Sequence, residues 1–246
     1  MKSLIIIPAR MASTRLPGKP LADIQGVPMI MRVCERAAAA DIGPVWVAAA
    51  EAEIVASVEH AGFSAVLTEP NLPSGSDRVH AALQTIDPDQ GFDVIVNLQG
   101  DMPTLDPSAL KAVLKPLEAE PDCDVATLAA EIRDDQEVSD PNVVKAVLGD
   151  PSDGHARAHY FSRAAVPTGE GPLWHHVGVY AWRRGALDRF VQAQPSALEK
   201  RERLEQLRAL ELGMRIDCAM LSGPPPNGVD TPEDLEAART LYRTAR

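Results

Sequence analysis

At 246 residues, 45% of them hydrophobic, the chain has apolar surface for one large α/β domain or two small ones. Its 24 Lys and Arg against 35 Asp and Glu give a net charge of −11, which disfavours nucleic acid and anionic membrane as partners unless cations are concentrated locally. No apolar run reaches the roughly eighteen residues of a membrane span, the apolar start Leu4 to Ile7 is too short for a signal peptide, and Cys34, Cys123 and Cys218 lie far apart in sequence without zinc-site spacing, so a cytoplasmic chain with reduced core thiols is expected.

In chain order, Leu4 to Ile7 reads as a strand and Pro28 to Ala40 as a helix with Pro28 at its first position. "PVWVAAA" from Pro44 is a second strand, and "EAEIVASVEHAG" a helix capped by Gly62. "SAVLT" follows as a short strand, then a helix in "SGSDRVHAALQTI" with Ser76 as its N-cap. "FDVIVNLQGD" is a buried strand emptying into a turn at Asp101, and Pro107 to Leu117 is one more helix. This β-α-β-α order implies a mostly parallel central sheet covered on both faces.

In the second half, "CDVATLAAEI", "NVVKAVLGD" and "HVGVYAWR" resemble strands without intervening helices, so antiparallel additions are expected there. "SALEKRERLEQLRALELG" reads as one amphipathic helix, with Leu198, Leu204, Leu207, Leu210 and Leu212 on its apolar face and Gly213 as its cap. "RIDCAML" is a late strand, and "NGVDTPEDL" opens a C-terminal helix with Thr231 as N-cap and Pro232 at the first helical position. One compact unit, 1–246, with an inserted or appended subdomain is expected.

In open parallel sheets ligands sit beyond the carboxyl ends of strands. The first strand ends in "IIIPARMASTRLPGKPL" (Ile5 to Leu21), where Arg10, Arg15 and Lys19 offer a clamp for a polyphosphate and the loop amides from Ala9 to Thr14 add donors. The stretch has neither P-loop nor G-x-G-x-x-G spacing. Asp101 in "NLQGDMP" is either a turn aspartate or a ligand for Mg²⁺ bridging phosphate oxygens. Asp230 is left unused by the capping of the last helix and is the candidate second carboxylate. In "SGSDR" capping leaves Gly75 and Arg78 unexplained. His175 and His176 are adjacent on a strand, so at most one points into a given pocket. Glu205 and Gln206 read as a polar helix face.

Taken together, "IIPARMASTRLPGKPL", "SGSDR", "VNLQGDMP", "YFSRAAVP", "HHVGVYAW", "LEQLRALE" and "GVDTPEDL", in this order over nearly the whole chain, resemble the 3-deoxy-manno-octulosonate cytidylyltransferases, the CMP-Kdo synthetases. The resemblance implies a Rossmann-like, glycosyltransferase-A-type nucleotidyltransferase fold and a homodimer. It also implies the reaction of CTP with Kdo to CMP-Kdo and pyrophosphate, assisted by Mg²⁺, for lipopolysaccharide synthesis. On that resemblance Arg10, Arg15 and Lys19 hold the CTP phosphates, with Ser74 and Arg78 at the nucleotide. Asp101 and Asp230 hold the metal and, with Arg10 and Lys19, carry the chemistry. Gln99, together with Arg163, His176, Tyr180, Glu205 and Gln206 of a sugar-binding and dimerisation region around 155–215, binds the sugar acid.

The chain departs from the family's usual phrases at Met102, where an acid is usual, and at Ala49 and Ala50, where an A-T-D-like phrase is usual. The runner-up reading is CMP activation of another acidic sugar, a sialic acid or an amino-substituted Kdo. A non-catalytic nucleotide-sugar sensor ranks below both, because Asp101 and Asp230 are both present.

Overall fold

The first strand, β1 (Ser3–Ala9), has Leu4 through Ile7 wholly withdrawn from solvent. A continuous apolar run of this kind belongs to a strand covered on both faces, and each such side chain contributes about 1.5–3 kcal/mol by leaving water. The structure is a computed structural model and describes residues 1–13, 15–226 and 228–244. The chain divides into two compact units, Met1–Leu110 with Pro226–Arg246, and Lys111–Pro225.

In the first unit β1 is followed by a 3₁₀ turn (Lys19–Leu21), the small hairpin β2 (Asp23–Ile24) and β3 (Val27–Pro28), and α1 (Met29–Ala39). Then come β4 (Val45–Ala49), α2 (Ala52–His60), β5 (Ser64–Leu67), α3 (Gly75–Ile86) and β6 (Val94–Asn97). β5, β4, β1 and β6 lie side by side in that order, every pair parallel. Gly62, with φ of 83°, follows the last turn of α2 as expected, in a conformation that costs a residue with a Cβ. Two boundaries differ from expectation. Pro28 stands before α1 with an extended ψ of 144° and pairs with Asp23, so it caps the helix instead of opening it. Ser74, not Ser76, caps α3: its hydroxyl oxygen accepts the Asp77 amide at 3.2 Å and donates to the Asp77 carboxylate at 2.7 Å, while Ser76 is buried inside the helix.

The second unit begins within α4 (Pro107–Ala112) and continues through α5 (Lys115–Ala119), β7 (Val125–Glu131), α6 (Asp135–Ser139), β8 (Lys145–Leu148), β9 (His155–Ser162) and β10 (Trp174–Arg183). After these come α7 (Arg184–Gln192), α8 (Ala197–Glu202), α9 (Gln206–Glu211) and β11 (Ile216–Leu221). The chain then re-enters the first unit as α10 (Pro232–Thr244). β10, β7, β11, β9 and β8 are neighbours in that order and β8 pairs back onto β10; only β7 with β11 is parallel. The expected antiparallel additions are present, and the arrangement is mixed rather than mostly parallel.

Two expected helices are broken, each for a visible reason. Pro116 supplies no amide to the carbonyl four residues back, so the stretch after Pro107 splits into α4 and α5. The long amphipathic stretch splits at Arg203, which turns left-handed with φ of 57°. Glu202 explains the stop: its carboxylate accepts the Ser162 hydroxyl at 3.0 Å and the Arg163 amide at 3.1 Å, and its carbonyl accepts Arg163 Nε at 2.9 Å. Leu204 and Leu207 are buried as expected, whereas Leu212 is 46% exposed. The three cysteines are free and buried, and no helix among the described residues is long and apolar enough to cross a membrane.

Lys145, on β8, has no solvent exposure at all. Its ammonium donates to the carbonyls of Asp140 at 2.6 Å and Val143 at 2.7 Å, with that of Arg163 at 3.5 Å. Replacing Lys145 with Met keeps the stem and strands these acceptors, and is expected to cost about 1–3 kcal/mol in urea unfolding. An unchanged unfolding midpoint would show that the carbonyls find water instead.

Candidate active site

The carboxyl end of β1 opens into a cavity of about 700 Å³, lined by Arg10, Arg15, Lys19, Ser74, Arg78 and Gln99 together with Asp101 and Asp230. All belong to the first unit. Two local features bring the acidic turn against β1. Gly100 lies so close to β1 that a Cβ there would sit 2.9 Å from the Pro8 carbonyl oxygen, so no side chain fits without backbone movement. The Asp101 carbonyl accepts the amide of Val229 at 2.8 Å, tying that turn to the segment that carries Asp230.

The centre of the cluster is Lys19. Its ammonium donates to Asp101 Oδ2 at 2.8 Å and to Asp230 Oδ1 at 3.0 Å, with side-chain exposures of 17%, 27% and 46% for the three residues. Burial works against its charge, but Asp101 and then Asp230 outweigh burial and hold its pKa above the ordinary lysine value. The stabilisation from this ammonium is therefore complete below that ordinary value and is lost only as pH rises through the higher folded one. Arg15 reaches Asp230 Oδ2 at 3.0 Å from a more exposed position. Asp230 is presented by a cap: the Asp234 carboxylate accepts the amides of Asp230 at 3.0 Å and Thr231 at 2.9 Å, and the Asp234 amide donates to the Thr231 hydroxyl at 3.2 Å. Thr231 caps α10 as the sequence predicts.

Other expected residues have committed partners. Arg78 is buried and donates to the Thr68 hydroxyl at 2.6 Å and to the carbonyls of Glu69 and Pro70 at 2.9 and 3.1 Å. It shapes the rim of the cavity as much as it offers charge. Burial, and then the neighbouring charge of Arg10, lower its pKa against the pull of Glu51. Gln99 donates to Asn97 Oδ1 at 3.1 Å, and Asn97 in turn to the Ser76 hydroxyl at 3.3 Å. Among the loop amides, that of Met11 is taken by Glu51 Oε2 at 3.0 Å, and Thr14 and Asn227 lie outside the described residues. Glu51, which no motif signals, follows directly on the departure at Ala50, and the departure at Met102 is a side chain only 8% exposed.

In the second unit, three of the expected sugar residues meet. Tyr180 donates its hydroxyl to Gln206 Oε1 at 3.2 Å, Gln206 Nε2 lies 3.4 Å from His176 Nδ1, and His176 Nε2 lies 2.9 Å from the Thr127 hydroxyl. Glu205 precedes Gln206 at the start of α9, close enough for its charge to add to burial in raising the Tyr180 pKa. Gln206 is 3% exposed, so it belongs to the core rather than to a polar helix face. His175 points elsewhere, toward Glu137 at 3.8 Å, as adjacent positions on a strand require. Arg163 is fixed by backbone: it donates to the carbonyls of Glu202 at 2.9 Å, Pro141 at 2.8 Å and Arg203 at 3.4 Å. No local pattern marks Thr127, because its partners lie some fifty positions away along the chain.

The arrangement gives the first unit a charged pocket for anions and cations and the second a neutral set of donors and acceptors. Two carboxylates converging on one cation are hard oxygen donors of the kind Mg²⁺ takes when phosphates and water complete its shell. No group of three or more His, Cys, Asp or Glu with metal-site geometry occurs among the described residues, so the two carboxylates would leave the rest of a metal's shell to water or substrate oxygens.

Burial, and then the charge of His175, push the His176 pKa down from 6.5 to about 3. Between those values the unfolded chain binds a proton that the folded one refuses, so stability falls as pH drops from 6.5 toward 3. His176→Gln is expected to flatten that slope in acid unfolding curves, whatever it does to stability at neutral pH. An unaltered slope would mean that the imidazole is protonated in the folded state.

The cytidylyltransferase family model matches residues 4–216. The 3-deoxy-manno-octulosonate cytidylyltransferase of Paramagnetospirillum magneticum is 57% identical over 98% of this chain and 97% of its own, and that of Azorhizobium caulinodans 58% identical over 97% and 94%. A CMP:2-keto-3-deoxy-manno-octonic acid synthetase solved in complex with CTP superposes with a TM-score of 0.92 at 36% identity over the full length of both chains. A nucleotidyl transferase from Methanothermobacter, 15% identical with a TM-score of 0.66, shares the fold. The chain is a member of the cytidylyltransferase family, of its 3-deoxy-manno-octulosonate cytidylyltransferase branch.

Proposed function

We propose that this protein transfers the cytidylyl group of CTP to Kdo, giving CMP-Kdo and pyrophosphate and supplying the activated sugar for lipopolysaccharide synthesis. The observation that carries the reading is the Lys19 ammonium set between the Asp101 and Asp230 carboxylates in the cavity at the end of β1. Family membership at 55–58% identity along almost the whole chain supports the substrate pair. On the same grounds the fold is read as the Rossmann-like, glycosyltransferase-A type, and the active form as a cytoplasmic homodimer.

The chemistry asks the protein for position and charge rather than a covalent intermediate. The anomeric hydroxyl of the sugar forms a bond to the α-phosphorus of CTP and gives up its proton to solvent water, as the bond to the bridging oxygen breaks and pyrophosphate leaves with that electron pair. Asp101 and Asp230 would hold Mg²⁺, which when bound neutralises phosphate oxygens. Arg10, Arg15 and Lys19 would stabilise the triphosphate and the departing pyrophosphate. Ser74, whose hydroxyl already serves the α3 cap, and Arg78, which holds the 68–70 loop, would border the nucleotide and fix the shape of its pocket. Tyr180, Gln206 and His176 would meet sugar hydroxyls, with Gln99 and Glu205 contributing further polar contacts. Arg163 carries positive charge to offset the sugar's carboxylate, although its donors are held by backbone carbonyls in this state.

Pyrophosphate release with CTP and Mg²⁺ is expected with Kdo and absent without a sugar. Asp101→Ala is expected to lower the rate by about 10²–10³ or more. Release with a sialic acid instead of Kdo would keep the mechanism and move the substrate. Retained CTP binding with no release for any sugar acid would contradict the catalytic reading.

A further inference from the structure

Three segments of the proposed phosphate and metal site lean on α10, a helix with no motif residue beyond its first turn. Its inner face builds a cluster of Ile24, Met29, Val229, Leu235 and Ala238, and Leu16, Ala22 and Tyr242 pack against it. Leu16 lies in the cationic loop between Arg15 and Lys19. Val229 adjoins Asp230, and its amide is the donor to the Asp101 carbonyl. The same apolar contact therefore seats the loop and the segment of the second carboxylate, and through the Val229 amide that segment holds the acidic turn.

Tyr242, near the far end of α10, reaches back to the acidic turn. Its hydroxyl donates to the Pro103 carbonyl at 2.5 Å, two residues beyond Asp101, and accepts from Arg36 Nε at 3.3 Å. The ring is held by two cations of α1, with the guanidinium carbons of Arg32 and Arg36 at 4.5 and 5.4 Å from its centroid. Arg32 is itself fixed, donating through Nη2 to the Ile24 carbonyl at 3.1 Å. So the turn holding Asp101 is fastened to α10 and its leading segment twice, at Asp101 by Val229 and at Pro103 by Tyr242. A helix fastened to the turn at its start and at its end cannot slide or tilt without changing the gap between the two carboxylates.

We propose that Tyr242 is a positioning residue that sets the separation of Asp101 and Asp230, and with it the affinity of the pair for a divalent cation. The inference rests on the reading of those two carboxylates as the metal ligands. A role in stability alone would change the melting temperature and leave metal affinity where it was.

The test uses Mn²⁺ as the probe, bound to the full-length protein without substrates and followed by electron paramagnetic resonance, in wild type, Tyr242→Phe and Asp101→Asn. Tyr242→Phe keeps the ring and its stacked cations and removes only the hydroxyl. It is expected to keep its melting temperature within a few degrees and to weaken Mn²⁺ binding by about three- to tenfold, the loss of one hydrogen bond. The Mg²⁺ concentration for half-maximal pyrophosphate release should rise by a similar factor. Wild-type Mn²⁺ affinity in Tyr242→Phe, with binding lost in Asp101→Asn, would overturn the proposal and spare the metal reading. Undiminished binding in Asp101→Asn would overturn both.

Discussion

One ammonium group holds two carboxylates that the chain delivers from 82 and 211 positions away, and much of the first unit serves that meeting. Two carboxylates brought this close repel, and at the effective dielectric of a partly buried site a charge pair at about 4 Å is worth roughly 4 kcal/mol. Lys19 offsets that repulsion. The fold then has to place three backbone segments within reach of one Nζ. β1 ends on Pro8 and Ala9 and releases the cationic loop; Gly100 lets the turn after β6 come against β1; the Asp234 cap presents Asp230. Each is a local device, and the ion cluster is what they achieve together.

The proposed division of chemistry between the units follows from what each candidate ligand carries. Phosphates and a divalent cation require charge, and the first unit gathers Arg10, Arg15, Lys19, Asp101 and Asp230 around one cavity. Sugar hydroxyls are met better by neutral groups, and the second unit sets Tyr180, Gln206 and a His176 kept neutral by burial into one hydrogen-bonded chain. Such a chain is costly to leave half-satisfied, so it also fixes the start of α9 against β10. Arg163 joins this unit as structure first, cross-linking the end of α8 to the loop at Pro141.

Much of this was legible in the sequence where the signal is local. The β1 run, the cations after it, the Asp101 turn, Gly62 behind α2 and the Thr231–Pro232 start of α10 all read from a few neighbouring residues. Capping was harder, since Ser74 and Ser76 both suit the chemistry and only Ser74 has its partner, Asp77, three residues on. The break at Arg203 was invisible because hydrophobic period is preserved across it, Leu204 and Leu207 still turning inward, while its cause, the hold of Glu202 on Ser162 and Arg163, spans some forty residues. Glu51, Thr127, Lys145 and Tyr242 act through partners whose contribution no local pattern encodes. Gln206 read as a surface residue because helical period ignores a buried hydrogen bond to a distant strand.

The account stands on Lys19 being a cation that shares its two carboxylates with a metal and its charge with a triphosphate. Titrating Mn²⁺ and CTP separately into wild type and Lys19→Met tests it most directly. The account predicts opposite signs: without its built-in rival the carboxylate pair binds Mn²⁺ more tightly, while CTP binds more weakly for want of a phosphate partner. Loss of both affinities together would contradict it, and would show that the ammonium only holds the two carboxylates in place.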